Sequence, residues 1–223
     1  MHILLTDALT CPRCGPDFGL VVLAERLEDR RVAAGHLGCP NCRSQYPIRD
    51  YVADLRSGPS AADEPEMSAS AEADGGEGEE GGVRLAALMG LAGASGMVLV
   101  AGPGTRHAPA LHAVVPEVEV IAVSASPAAG AGPGVSPLLV SGPGLPFRGG
   151  LRAAALTDGA GEERLREALR VLAPGARLVV DPAPADAAER LRKLGAEVLL
   201  EQDGVVVARA PGRPVELRYN AVR

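Results

Sequence analysis

The 223-residue chain has no tryptophan, only two phenylalanines and only three tyrosines. It therefore lacks an aromatic platform on which unstacked bases could be held, which argues against single-stranded nucleic acid as a ligand. It also lacks a basic excess: 28 acidic residues against 22 Lys and Arg give a formal charge of −6, so no nucleic-acid face is indicated. Nothing at the N-terminus resembles a signal peptide, because Met1-His2-Ile3-Leu4-Leu5 runs at once into Thr6 and Asp7. The expectation is a cytoplasmic chain with no membrane partner. Cysteine is scarce as well, and its placement is the most informative feature of the sequence.

The four cysteines form two matched knuckles, Cys11-Pro-Arg-Cys14 and Cys39-Pro-Asn-Cys42. Two Cys-x-x-Cys clips supply four soft thiolates, which suits tetrahedral Zn²⁺. Each clip needs a tight turn, and the prolines and Gly15 provide turn chemistry. The alternatives are two disulfides, which need an oxidising compartment, or buried free thiols. A four-cysteine site has no open coordination position, so the expected zinc is structural and catalyses nothing. Residues 1–56 are too few to fold comfortably on an apolar core alone, and a metal removes that difficulty. Leu20–Leu23 and Arg31–Ala34 read as short strands about a turn at Glu28-Asp29-Arg30. The passage "LTCPRCG" at Leu9–Gly15, with "LGCPNCRSQYPIRDYVADL" at Leu37–Leu55, resembles the zinc-ribbon activator subunits of tRNA, rRNA and release-factor methyltransferases. Tyr51 stands where that family usually has glycine. The resemblance implies a ribbon that binds a methyltransferase through an edge strand and an apolar face, a device that can lengthen a partner's sheet. A ribbon that packs on its own neighbour is the competing expectation.

From Ser57 to Gly82 the chain becomes acidic and glycine-rich, with Asp63, Glu64, Glu66, Glu72, Asp74, Glu77, Glu79 and Glu80 and no Lys or Arg. With few large apolar side chains it cannot offset its ordering entropy, so residues 57–82 read as a disordered linker. Taking its eight negative charges from −6 leaves +2 on the two remaining parts. A flexible segment of this length spans about 25–30 Å, enough for the ribbon to dock on its own downstream domain.

Residues 83–223 alternate strand-length apolar bursts with helical stretches, the pattern of an α/β fold with a mostly parallel sheet. Met97–Ala101 leads into Gly102-Pro103-Gly104-Thr105, and Thr105 is a candidate cap for a helix through Val115. Further strands are read at Val118–Val123, Leu138–Val140, Leu151–Leu156 and Arg177–Asp181. Helices are read at Gly161–Leu172, with Leu165, Ala168, Leu169 and Leu172 on one face, and at Asp186–Leu194. Glu197–Leu200 and Gly204–Ala208 read as a hairpin. "VLVAGPGT" at Val98–Thr105, Leu145-Pro146-Phe147 and "LREALRVLAPGARLVV" at Leu165–Val180 resemble, in order, class I S-adenosylmethionine (SAM)-dependent methyltransferases. That resemblance implies a Rossmann-like fold, with Gly102, Gly104, Thr105 and Ser124 in the positions of a SAM site.

Several groups such a site needs are missing. Val100 stands in place of the acidic residue near the end of the first strand, and Arg106 in place of a third glycine. Ser124 replaces the carboxylate that would take the ribose hydroxyls, at a cost of about 1 kcal/mol. Gly142 stands where the resemblance places an aspartate at the adenine. No Asn/Asp-Pro-Pro-Tyr follows the fourth strand. Asp158 and Asp181 are strand-end residues of the kind that form turns and caps, and His107 and His112 fall on the first helix, so no catalytic residue is singled out. The sequence thus predicts a zinc ribbon joined to a degenerate methyltransferase-like domain that acts through a protein partner, a methyltransferase among the candidates. The alternative is an active SAM-dependent methyltransferase of a small molecule or translation component, with its ribbon in cis. Val215–Tyr219 alternates as a further strand or an arm would.

Overall fold

A computed structural model describes residues 1–56, 75–126 and 132–212. The expectations for Val215–Tyr219 and for most of the acidic linker lie outside these residues. In the ribbon, a 3₁₀ turn at Ile3–Asp7 precedes β1 (Thr10–Cys11) and β2 (Gly15–Gly19), which form a two-stranded sheet. β3 (Val21–Glu28) and β4 (Arg31–Gly38) form a hairpin about Asp29-Arg30, both at positive φ, 43° and 63°. Two left-handed central residues give the turn whose twist matches that of paired strands. β5 (Gln45–Arg49) and β6 (Val52–Asp54) are joined the same way through Asp50 and Tyr51, at φ 45° and 67°. Tyr51 thus adopts the left-handed conformation that favours glycine. Its hydroxyl donates to Glu28 Oε2, and its carbonyl accepts from the Met1 ammonium.

The second unit opens with α1 (Gly75–Met89) and continues through β7 (Gly96–Ala101), α2 (Ala108–Val114), β8 (Val118–Ser124), β9 (Val135–Leu139) and β10 (Leu151–Leu156). It closes with α3 (Glu162–Val171), β11 (Leu172–Val180), α4 (Ala187–Lys193) and the hairpin of β12 (Glu197–Gln202) and β13 (Val205–Arg209). Strands β7 to β11 are mutually parallel where they pair, and β13 runs antiparallel beside β11. Alternation along β7 sends Val98 and Val100 to a core shared with α1 and α2. Leu99 and Ala101 go to the opposite core, shared with α3, α4 and the ribbon.

Two expectations are corrected. Residues 75–82, read as part of a disordered linker, form the first half of α1. Their glycines serve close approach: a Cβ on Gly82 would lie 2.7 Å from Ala110 Cβ, and one on Gly81 would lie 2.4 Å from His107 Nδ1. Each glycine costs a helix about 1 kcal/mol, offset by burial of Leu85, Ala86 and Met89 farther along. The helix expected from Thr105 to Val115 instead starts at Ala108, after a 3₁₀ turn at Pro103–His107. Thr105 caps nothing, since its hydroxyl donates back to Gly102 O at 2.9 Å.

The ribbon continues the central sheet. β6 pairs in parallel with β9, Ala53 opposite Leu138 and Asp54 opposite Leu139, giving eleven strands in the order β12-β13-β11-β10-β7-β8-β9-β6-β5-β4-β3. A second seam joins the first knuckle to the Leu-Pro-Phe passage, where Thr10 N donates to Pro146 O at 2.8 Å and Arg148 N to Ala8 O at 2.9 Å. A third is polar and largely buried. Arg31 forks both carboxylate oxygens of Glu119 at 3.0 and 2.8 Å, and Ser136, itself bonded to Glu119, accepts from His2 N at 2.8 Å.

Candidate metal centre and glycine turn

The two knuckles bring the four cysteine sulfurs within 4.8 Å of one another. Cys11 and Cys42 lie 3.7 Å apart and Cys14 and Cys39 3.8 Å apart, and all four are free thiols. A tetrahedron with metal–sulfur bonds of about 2.3 Å has edges of about 3.8 Å, so the group could hold zinc. Gly15, at φ 86°, closes the first knuckle, while Arg43, at φ 61°, does so after the second. The surrounding donors face the sulfurs: Asn41 Nδ2 donates to Cys14 at 3.4 Å, and the Tyr46 hydroxyl lies 3.5 Å from Cys11. Hydrogen bonding with the Ser44 side chain, 3.2 Å away, and then with its backbone pulls the Cys42 thiol down to about 6, toward the thiolate form a metal takes. At Cys14 the Asn41 bond acts in the same direction, but burial and the crowding thiols outweigh it and push that thiol up to about 11.

The other site residues meet at the ends of β7, β8 and β10. Gly102 has φ 85°, and a Cβ there would lie 2.8 Å from Asp158 Cβ. A Cβ on Gly104 would lie 2.6 Å from the Thr157 side chain. The closeness these glycines permit is therefore taken up by the chain's own segment after β10. The Gly104 amide donates to Thr157 Oγ1 at 2.6 Å, and that hydroxyl donates onward to Ala101 O at 2.6 Å. Ser124 ends β8 as expected, but its hydroxyl is turned to Ser126 O at 2.5 Å. Val100 is fully buried in the core beside α1 and α2.

Arg164, which the helical pattern of α3 does not distinguish, is a buried member of this region. Its guanidinium reaches Pro143 O at 3.1 Å and Gly144 O at 3.3 Å, and lies 3.9 Å from Asp158. Burial pushes its pKa down from the ordinary arginine value. Two sequence motifs also meet in space: Arg170 donates to Leu145 O and to Phe147 O, each at 2.7 Å, and pairs with Glu167. The passages resembling a family signature thus hold each other and seat the ribbon's first knuckle. His112 Nδ1 lies 3.0 Å from Val118 O in a packed position. Asp181 is ion-paired with Arg84 at 2.7 Å.

No family model matches the sequence, and no curated protein matches it. Solved structures do. The [4+2]-cyclase SpnF aligns at 18% identity with a TM-score of 0.50, over 60% of this chain and 81% of that one. Geranyl diphosphate C-methyltransferase from Streptomyces coelicolor A3(2) aligns at 14% identity and a TM-score of 0.47, over 57% and 75%. The 1,6-didemethyltoxoflavin-N1-methyltransferase from Burkholderia thailandensis aligns at 17% and 0.43, over 62% and 80%. At these identities the likeness concerns fold: an α/β, Rossmann-like methyltransferase fold with a mostly parallel central sheet and a four-cysteine group at its N-terminal end.

Proposed function

We propose that this chain is a non-catalytic, methyltransferase-like protein whose zinc ribbon is a built-in structural partner and whose task is to bind another protein in the cytoplasm, a methyltransferase among the candidates. The observation that carries this is the Gly104 amide, which already donates to Thr157 and is not free for a cofactor. The absence of a carboxylate at positions 100, 124 and 142 supports it, because a site is judged by its groups and not by its fold. Cys11, Cys14, Cys39 and Cys42 would hold Zn²⁺, which supplies folding energy and no chemistry. A protein partner is supported by Val21, Leu23 and Leu27 on β3, each about half exposed at 54%, 53% and 51%. Among the described residues no helix is long and apolar enough to cross a membrane. The test is calorimetric titration of SAM and S-adenosylhomocysteine into the zinc-replete full chain. No heat and no thermal shift are expected, and micromolar binding of either ligand would sink the proposal.

A further inference from the structure

A cavity of about 260 Å³ opens between α1, the glycine turn and the ends of β10 and β11. Its wall carries Arg84, Arg106, His107, Thr157 and Asp181. Asp181, the one carboxylate lining it among the described residues, is neutralised by Arg84 at 2.7 Å. Arg106 has no carboxylate partner among the described residues. Its Nε donates to His107 Nε2 at 3.1 Å, which leaves the terminal guanidinium donors unspent. A ring nitrogen that accepts from an arginine is unprotonated, so the His107 proton sits on Nδ1. That atom is buried with no hydrogen-bond partner. It is covered by α1, where a Cβ on Gly81 would lie 2.4 Å from it, so contacts to an oxyanion fall to the arginines.

We infer that this cavity binds a compact oxyanion, a phosphate or carboxylate group on a small molecule, with Arg106 as its principal ligand and Arg84 as the second cation. The size fits: drug-sized ligands occupy pockets of about 300–1,000 Å³, so a smaller occupant is selected. The chemistry fits as well. A guanidinium matches two oxygens of one oxyanion side by side, and among the described residues no Phe, Tyr or Trp lines the wall to stack a base. Among the described residues the wall carries one net positive charge, Arg84 and Arg106 against Asp181, which attracts a negative ligand. The inference rests on SAM not being the occupant.

The test uses the zinc-loaded full chain titrated with inorganic phosphate and, separately, with malonate, followed by calorimetry and by the His107 imidazole NMR signals. Binding of at least one probe is expected at millimolar or lower concentration, with a shift of the His107 resonances. The affinity should fall roughly tenfold or more in Arg106→Ala and recover in part in Arg106→Lys. Arg106 is exposed, so both variants should keep the parent's zinc content and melting temperature. A preference for phosphate or for malonate identifies the oxyanion. Failure of both probes at about 10 mM overturns the inference, as does binding that ignores Arg106→Ala. Tight SAM binding in the parallel titration sinks the non-catalytic proposal instead, which keeps the two failures distinct.

Discussion

The cysteine cluster and the glycine turn are both sequence motifs placed on tight turns, yet they end in opposite states. At the cluster the side chains converge: four sulfurs within 4.8 Å of one another, with Asn41, Ser44 and Tyr46 in contact with them. At the glycine turn the donors are turned inward, Gly104 to Thr157, Thr157 to Ala101 and Ser124 to Ser126. A turn can be retained because the chain packs against itself there. A set of convergent ligands has no such internal reason to persist.

The comparison can be broken first at the metal. Chelation, or Cys39→Ser, should unfold the ribbon, since structural zinc contributes about 10–16 kcal/mol in small zinc modules. Loss of bound zinc by elemental analysis together with new proteolytic cuts within residues 1–56 is the expected result. A ribbon equally protease-resistant without metal would show that its packing alone suffices. Next comes the joint between the two halves. Glu119→Gln strips the charge that Arg31 forks, and breaking a buried pair costs about 3–5 kcal/mol. Both side chains are near 15% exposed, so a urea midpoint should record most of that loss.

Thr157→Val sharpens the contrast at the turn itself. It leaves the Gly104 amide without its partner, at about 1–3 kcal/mol, while the Ala101 carbonyl keeps the bond from the residue 157 amide at 2.9 Å. SAM should still not bind, because the carboxylates at positions 100, 124 and 142 remain absent. Micromolar SAM affinity in this variant would mean that one hydroxyl had been the whole obstacle. The smallest effect belongs to Glu167→Gln. Hydrogen bonds from Arg170, and then from the Leu145 amide, hold the Glu167 carboxyl below its ordinary range. A depressed carboxylate stabilises the fold above its unfolded pKa, about 4.3, and that contribution fades as pH falls through the folded value. The variant should therefore be less stable than the parent at pH 7 and indistinguishable from it in strong acid.

Much of this could be read from residues. The four cysteines that cluster in space lay in two four-residue passages, and strands such as Leu151–Leu156 coincide with their apolar bursts because each is buried on both faces. Other features depended on partners distant in sequence. Gly81 and Gly82 look like spacer in isolation, and become a packing surface only when Ala110 and His107 lie against them. Arg164 looks like any charged residue of α3 until the carbonyls of the 142–144 loop are brought over it. The short β6 carries no sign in Val52-Ala53-Asp54 that its partner lies beyond residue 130. At position 51 a tyrosine held by two hydrogen bonds occupies a left-handed turn position of the kind that favours glycine.

The parallel seating of β6 on β9 also decides where the sheet stops. Without it the sheet would end at Val135-Ser136-Pro137-Leu138-Leu139, an apolar strand buried along its whole length. A naked border of that kind offers unsatisfied backbone groups to any passing chain. With the ribbon in place, the border moves to β3, where Glu25, Arg26 and Glu28 are exposed and the pairing register slips between Ala24 and Arg26. Charge and an irregular backbone deter unplanned strand addition. The ribbon thus covers the β9 border with β6 and leaves β3, where Val21, Leu23 and Leu27 are also exposed, as the outer strand of the sheet.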